Sequence, residues 1–117
     1  MEQEEMDLSV SKLTLSEIAE LWMHTKGGRM IMRDLYAIAA GYVRDWKRTG
    51  VPVSIALVYE LERHKIKQFR TRAQRMNVKI LKTHGYRMSN NHRAYIARHM
   101  MDRRPEWAGL FEIREVV

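Results

Sequence analysis

Five histidines, His24, His64, His84, His92 and His99, are the side chains best suited to bind a metal or move a proton near neutral pH. Their spacing argues against a metal centre. No His-x-x-x-His pair shares a helix face, and the chain has no cysteine, which removes thiolate zinc sites and disulfides together. His92 and His99 are one heptad apart and could share a face, but the stretch from Arg63 to Met101 contains no carboxylate. A metal-dependent nuclease built there would lack its oxygen ligands. No phosphate-cradling glycine loop and no Gly-x-Ser-x-Gly elbow occurs. The reading is a non-enzyme without metal or cofactor.

The other chemistry within reach is recognition of a polyanion. Residues 63–101 hold eleven lysines and arginines and no acid, a net charge of +11, whereas residues 1–62 carry −3 and residues 102–117 carry −1. Like charges crowded on a folded surface repel, a cost normally tolerated where a polyanion offsets it. Pairing with the acidic N-terminal segment is the competing explanation. Aromatic and aliphatic residues interleave the run, so it reads as a folded element and not a basic tail.

Those charges need elements to position them. A chain of 117 residues with 45% hydrophobic and 30% charged residues is one folded domain's worth. Two prolines, six glycines and nine methionines favour helices, so an all-α fold of four to five helices is expected. No apolar run is long enough to span a bilayer, and the acidic start lacks a signal-peptide pattern; a cytoplasmic protein is expected.

Residues 1–12 read as a flexible arm. Thr14 and Glu17 form a capping box, with Leu13 and Ile18 placed as a hydrophobic staple. Ile18, Leu21 and Trp22 then give the apolar face of a helix over 15–25 that Gly27-Gly28 ends. A second helix starts near Arg29. Ile31, Leu35, Ile38, Tyr42 and Trp46 keep helical spacing to Arg48, which puts Gly41 inside one long helix. The alternative is a turn at Ala39-Ala40-Gly41 followed by a short helix, Tyr42 to Arg48. Past Gly50 and Pro52, a long basic helix runs from about 54 to 83, with or without a break near His64. Its narrow seam is Ile66, Phe69, Ala73, Met76 and Ile80, which core packing or a second subunit must cover. Ser89, Asn90 or Asn91 caps a further helix carrying Tyr95, Ile96 and Met100, closed by Pro105. Residues 106–117 form a tail, in which Phe111, Ile113 and Val116 suit a short strand.

Val43, Trp46, Gly50, Pro52, Ala56, Leu57, Leu61 and Glu62 together resemble the back half of the Cro- or repressor-type helix-turn-helix domains of small phage regulators. Arg33 and Ala37 depart from that pattern. The resemblance implies a helix-turn-helix within 13–62, with 42–48 as the recognition helix in a DNA major groove.

The expected function is therefore a DNA-binding transcriptional regulator of phage or plasmid type, acting as a homodimer. Arg44, Lys47 and Arg48 would approach base edges or flanking phosphates, with Arg44 the candidate for a bidentate guanine contact. Arg63, Lys67, Arg70, Arg72, Arg75, Lys79 and Lys82 would neutralise phosphates in the basic region 63–101. The alternatives are RNA binding, with Phe69, His84, Tyr86 and Tyr95 stacking on bases, or an inhibitor or adaptor that binds a host protein.

Overall fold

The structure is a computed structural model that describes residues 13–73, 85 and 87–112, the side chains of 68–73 excepted. The expected arm, 1–12, lies outside these residues. Those described are mainly helical, as the composition predicts. They form α1 (Leu15–Met23), α2 (Lys26–Thr49), α3 (Ile55–Ala73) and α4 (Arg93–Arg103). One-turn 3₁₀ segments precede and follow α4, at Asn90–His92 and Pro105–Trp107.

α1 starts where the capping signal places it: the Glu17 N–H donates to Thr14 Oγ1 at 3.1 Å. It ends earlier than Gly27-Gly28. Thr25 takes over as the N-cap of α2, its hydroxyl donating to the Trp22 carbonyl at 2.7 Å and accepting from the Gly28 N–H at 3.0 Å. The two glycines thus lie in the first turn of α2, which begins three residues before the expected start. Gly28 is needed there because a Cβ would collide with the Trp22 carbonyl oxygen.

The face expected to bury α1 is also corrected. Ala19 and Met23 are buried, whereas Leu15 and Leu21 are 57% and 59% exposed and Ile18 is exposed beside them. Small Ala19 lets the short helix lie close to its neighbours, and that orientation turns the larger aliphatics outward. Trp22 faces the junction instead. Its indole N–H donates to the Gly85 carbonyl at 2.8 Å, and its ring meets His92 at 6.1 Å between centroids.

Of the two readings of residues 29–48, the structure has the unbroken one. α2 runs through Ala39-Ala40-Gly41 without a turn, and Gly41 has no positive φ. The separate recognition helix at 42–48 is therefore absent. Ile31, Leu35 and Ala39 are buried before the glycine, and Val43 and Trp46 pack against the same core beyond it, so packing holds the helix together where propensity alone would weaken it. Gly50 ends α2 in the left-handed region, φ 71°, with its N–H donating to the Trp46 carbonyl at 2.7 Å.

α3 is continuous through His64, and the part of the expected helix beyond Ala73 lies outside the described residues. Val58, Tyr59, Glu62 and Ile66 form its buried edge against α2 and α4, so Ile66, the one seam residue whose side chain is described, lies in the core of the chain itself. Ser89 caps the turn before α4, accepting from the Asn91 N–H at 3.3 Å. Ile96, Ala97 and Met100 of α4 meet this core, and Trp107, Leu110 and Phe111 close it. Of the expected C-terminal strand, Ile113 and Val116 lie outside the described residues, and Phe111 forms a single parallel bridge with Val53, with the Val53 N–H donating to the Leu110 carbonyl. No helix among the described residues is long and apolar enough to cross a membrane.

Candidate nucleic-acid interface

α2 sorts its residues by sign as well as by hydropathy. At 3.6 residues per turn, Lys26, Arg29, Arg33, Ala37, Ala40, Arg44, Lys47 and Arg48 fall within an arc of about 100° opposite Ile31, Leu35 and Ala39. All eight are exposed. The helix's two acids fall outside this arc: Asp34 is half-buried toward α3, and Asp45 sits at the flank, 3.5 Å from Arg48. Lys26, Arg29, Arg44 and Lys47 form no ion pair among the described residues. The result is a straight basic stripe roughly 33 Å long at 1.5 Å per residue.

Its middle is bare. Ala37, Ala40 and the adjacent Gly41 leave a shallow saddle between one basic group, Lys26, Arg29 and Arg33, and a second, Arg44, Lys47 and Arg48. Around Gly41 there is open space where a Cβ would stand. From Arg33 to Arg44 the helix rises about 16 Å. Side chains at the two ends can therefore straddle a groove about 12 Å wide while the saddle approaches its floor. The second basic group also lies at the helix C-terminus, where positive charge complements the helix dipole.

Arg44, Lys47 and Arg48 thus sit at one end of this stripe, on the long helix and not on a separate one. Arg63 is elsewhere. It is partly buried, bonded to Glu60 and Asn90, and lies 5.8 Å over the Tyr59 ring, so it ties α3 to the turn before α4. Lys67 is exposed on α3. Arg70 and Arg72 belong to the last turns of α3, their side chains outside the described residues; Arg75, Lys79 and Lys82 lie outside them entirely. The aromatic candidates separate too. Tyr95 is half-buried with its hydroxyl donating to Glu20, while the Phe69 side chain, His84 and Tyr86 are outside the described residues.

Lys26, Arg29 and Arg33 escape a linear reading because residues 1–62 as a whole carry a net charge of −3. Projection onto a helical wheel, once the helix is taken as continuous, is the signal that finds them. At the far end of α4, Arg103 and Arg104 add cationic surface. The Arg104 guanidinium stacks against Tyr36 and Trp107, 5.4 and 4.9 Å from their ring centres.

Beneath the stripe the charges are of another kind. Glu62 of α3 is fully buried, and neither of its carboxylate oxygens has a hydrogen-bond partner; the Tyr59 hydroxyl is also unpartnered. Burial, and then the Asp34 carboxyl facing it from α2, push the Glu62 carboxyl up to about 8. Burial likewise raises Tyr59 and lowers His92. No group of three or more potential metal ligands converges among the described residues. Comparisons with protein-family models, with curated proteins and with solved structures find no match to this chain.

Proposed function

We propose that the protein is a non-enzymatic nucleic-acid-binding regulator that presents the exposed face of α2 to duplex DNA. The observation that carries this reading is the acid-free basic stripe with small residues at its centre. B-form DNA offers a major groove wide enough to admit a helix, whereas the deep, narrow major groove of A-form RNA does not. That contrast favours DNA. The additional positive charge of residues 63–101 supplies a field that draws the polyanion in.

Fluorescence anisotropy with duplex DNA, duplex RNA and single strands at rising salt tests the proposal. Six stripe cations engaged with phosphates give a slope of log affinity against log salt near −5 on B-DNA. Arg33→Glu with Arg44→Glu should flatten the slope by about two and weaken binding at least tenfold. A salt-independent signal, or duplex affinity untouched by the double substitution, would remove the assignment. A second reading, an adaptor that docks on another protein, is favoured by the exposed Leu15, Ile18 and Leu21. Photo-crosslinking in cells separates the two. DNA recovered from position 44, with no protein adduct from position 21, supports the regulator and removes the adaptor; the reverse pattern removes the regulator.

A further inference from the structure

A cleft of about 280 Å³ opens where the end of α1, the first half of α2 and the end of α4 meet. Met23 and Met32 contribute an apolar floor, and Glu20, His24, Arg29, Tyr36, His99 and Arg103 complete the wall. Four potential cations or hydrogen-bond donors, His24, Arg29, His99 and Arg103, thus converge from three helices. Neither Arg29 nor Arg103 has a carboxylate partner among the described residues. The one acid in the wall is already engaged. Glu20 accepts from the Tyr95 hydroxyl and lies 3.2 Å from His24 Nε2, and chiefly the Tyr95 bond holds its carboxyl below the ordinary range.

Those contacts also orient the cleft. Glu20 positions His24, and Tyr95, held by Glu20, stacks on His99 at 6.3 Å between ring centres. A second hollow shares Tyr36 and Arg103 and continues past Arg104 and Glu106. The volume lies just below the range of drug-sized ligand sites, about 300–1,000 Å³, and suits a small anionic group. Two fork-shaped guanidiniums suit a tetrahedral oxyanion, and phosphate is the common biological one. A diester inside a duplex backbone cannot enter a concave cleft fully, whereas a phosphate monoester protrudes and can.

We infer that the cleft lined by His24, Arg29, His99 and Arg103 is a phosphate-monoester site. The monoester can be the terminal phosphate of a strand or that of a free nucleotide. The site shares Arg29 with the α2 stripe, but Arg103, His24 and His99 lie off it, so variants at those positions test the cleft separately from the stripe.

The test uses the full chain and pairs of identical oligonucleotides, one with a 5′-phosphate and one with a 5′-hydroxyl, alongside AMP, adenosine and inorganic phosphate. Arg103→Gln and His99→Gln are the variants, chosen because neither belongs to the stripe. For a strand end, the 5′-phosphate should tighten binding roughly tenfold, the scale of one charge-assisted contact. Each variant should then bring the phosphorylated and hydroxyl strands close to equal while leaving the melting temperature unchanged, a loss of discrimination distinct from any change in affinity that both strands share. For a free nucleotide, AMP should bind and adenosine should not, with that preference lost in Arg103→Gln and no advantage for the phosphorylated strand. If phosphate, AMP and the 5′-phosphate all bind the wild type and Arg103→Gln alike, or none binds, the site is refuted whatever the result for duplex DNA.

Discussion

At Glu62 a carboxyl lies in the contact between α2 and α3 with no donor to meet either oxygen. Ionised, it would face Asp34 at low dielectric; protonated, it can offer its hydrogen to that neighbour. Because its folded-state value, about 8, lies above the ordinary carboxylate range, the folded protein binds this proton more tightly than the unfolded chain. The resulting stability is complete below the ordinary carboxylate range and is lost as pH rises toward 8. Glu62→Gln keeps the shape and removes the ionisation. It should gain about 1–3 kcal/mol of stability at about pH 9 and little at about pH 4, measured by urea unfolding at both. An equal effect at the two values would show that the carboxyl is solvated.

Two glycines of α2 make opposite predictions about the same helix. Gly41 is exposed with open space around it, so Gly41→Ala should stabilise by up to about 1 kcal/mol and raise the melting temperature. Gly28 is buried against the Trp22 carbonyl, and Gly28→Ala should destabilise by about 1–3 kcal/mol through overpacking at the α1–α2 junction. A fall in melting temperature for Gly41→Ala would put a turn back at Ala39-Ala40-Gly41. The start of α1 is legible in the sequence because the Thr14 cap is a local hydrogen bond between residues close in the chain. Its end is not, since Thr25 becomes a cap only once α2 continues from it.

Across the whole molecule, cations of one type play two roles. Arg44 is exposed with no ion pair among the described residues, whereas Arg63 clamps α3 to the turn before α4. Arg44→Glu should therefore leave stability within about 0.5 kcal/mol of wild type while weakening DNA binding, and Arg63→Glu should lower stability by about 1–3 kcal/mol. Thermal melts and anisotropy on the same samples separate the two. Exposed Leu15 and Leu21 belong to this scale as well. Leu15→Ser with Leu21→Ser should cost little stability in the monomer, and a loss above about 1 kcal/mol would mean that these side chains are covered in solution.

Helix content, the Thr14 start, the buried stripe Ile31–Leu35 and the concentration of positive charge are determined by residue order, because each depends on local periodicity or on composition. Whether Gly41 interrupts α2 is not, since the propensity cost of one glycine is smaller than the packing that opposes it. The direction each charge faces is decided only by the fold. Asp34 and Arg33 are adjacent in the chain and 4.0 Å apart, yet Asp34 is held toward buried Glu62 while Arg33 stays exposed to solvent. His24, Arg29, His99 and Arg103 come together from segments some seventy residues apart, roughly the separation of His24 from His99 in the chain. No local pattern encodes such a meeting, because it follows from how α1, α2 and α4 share one core.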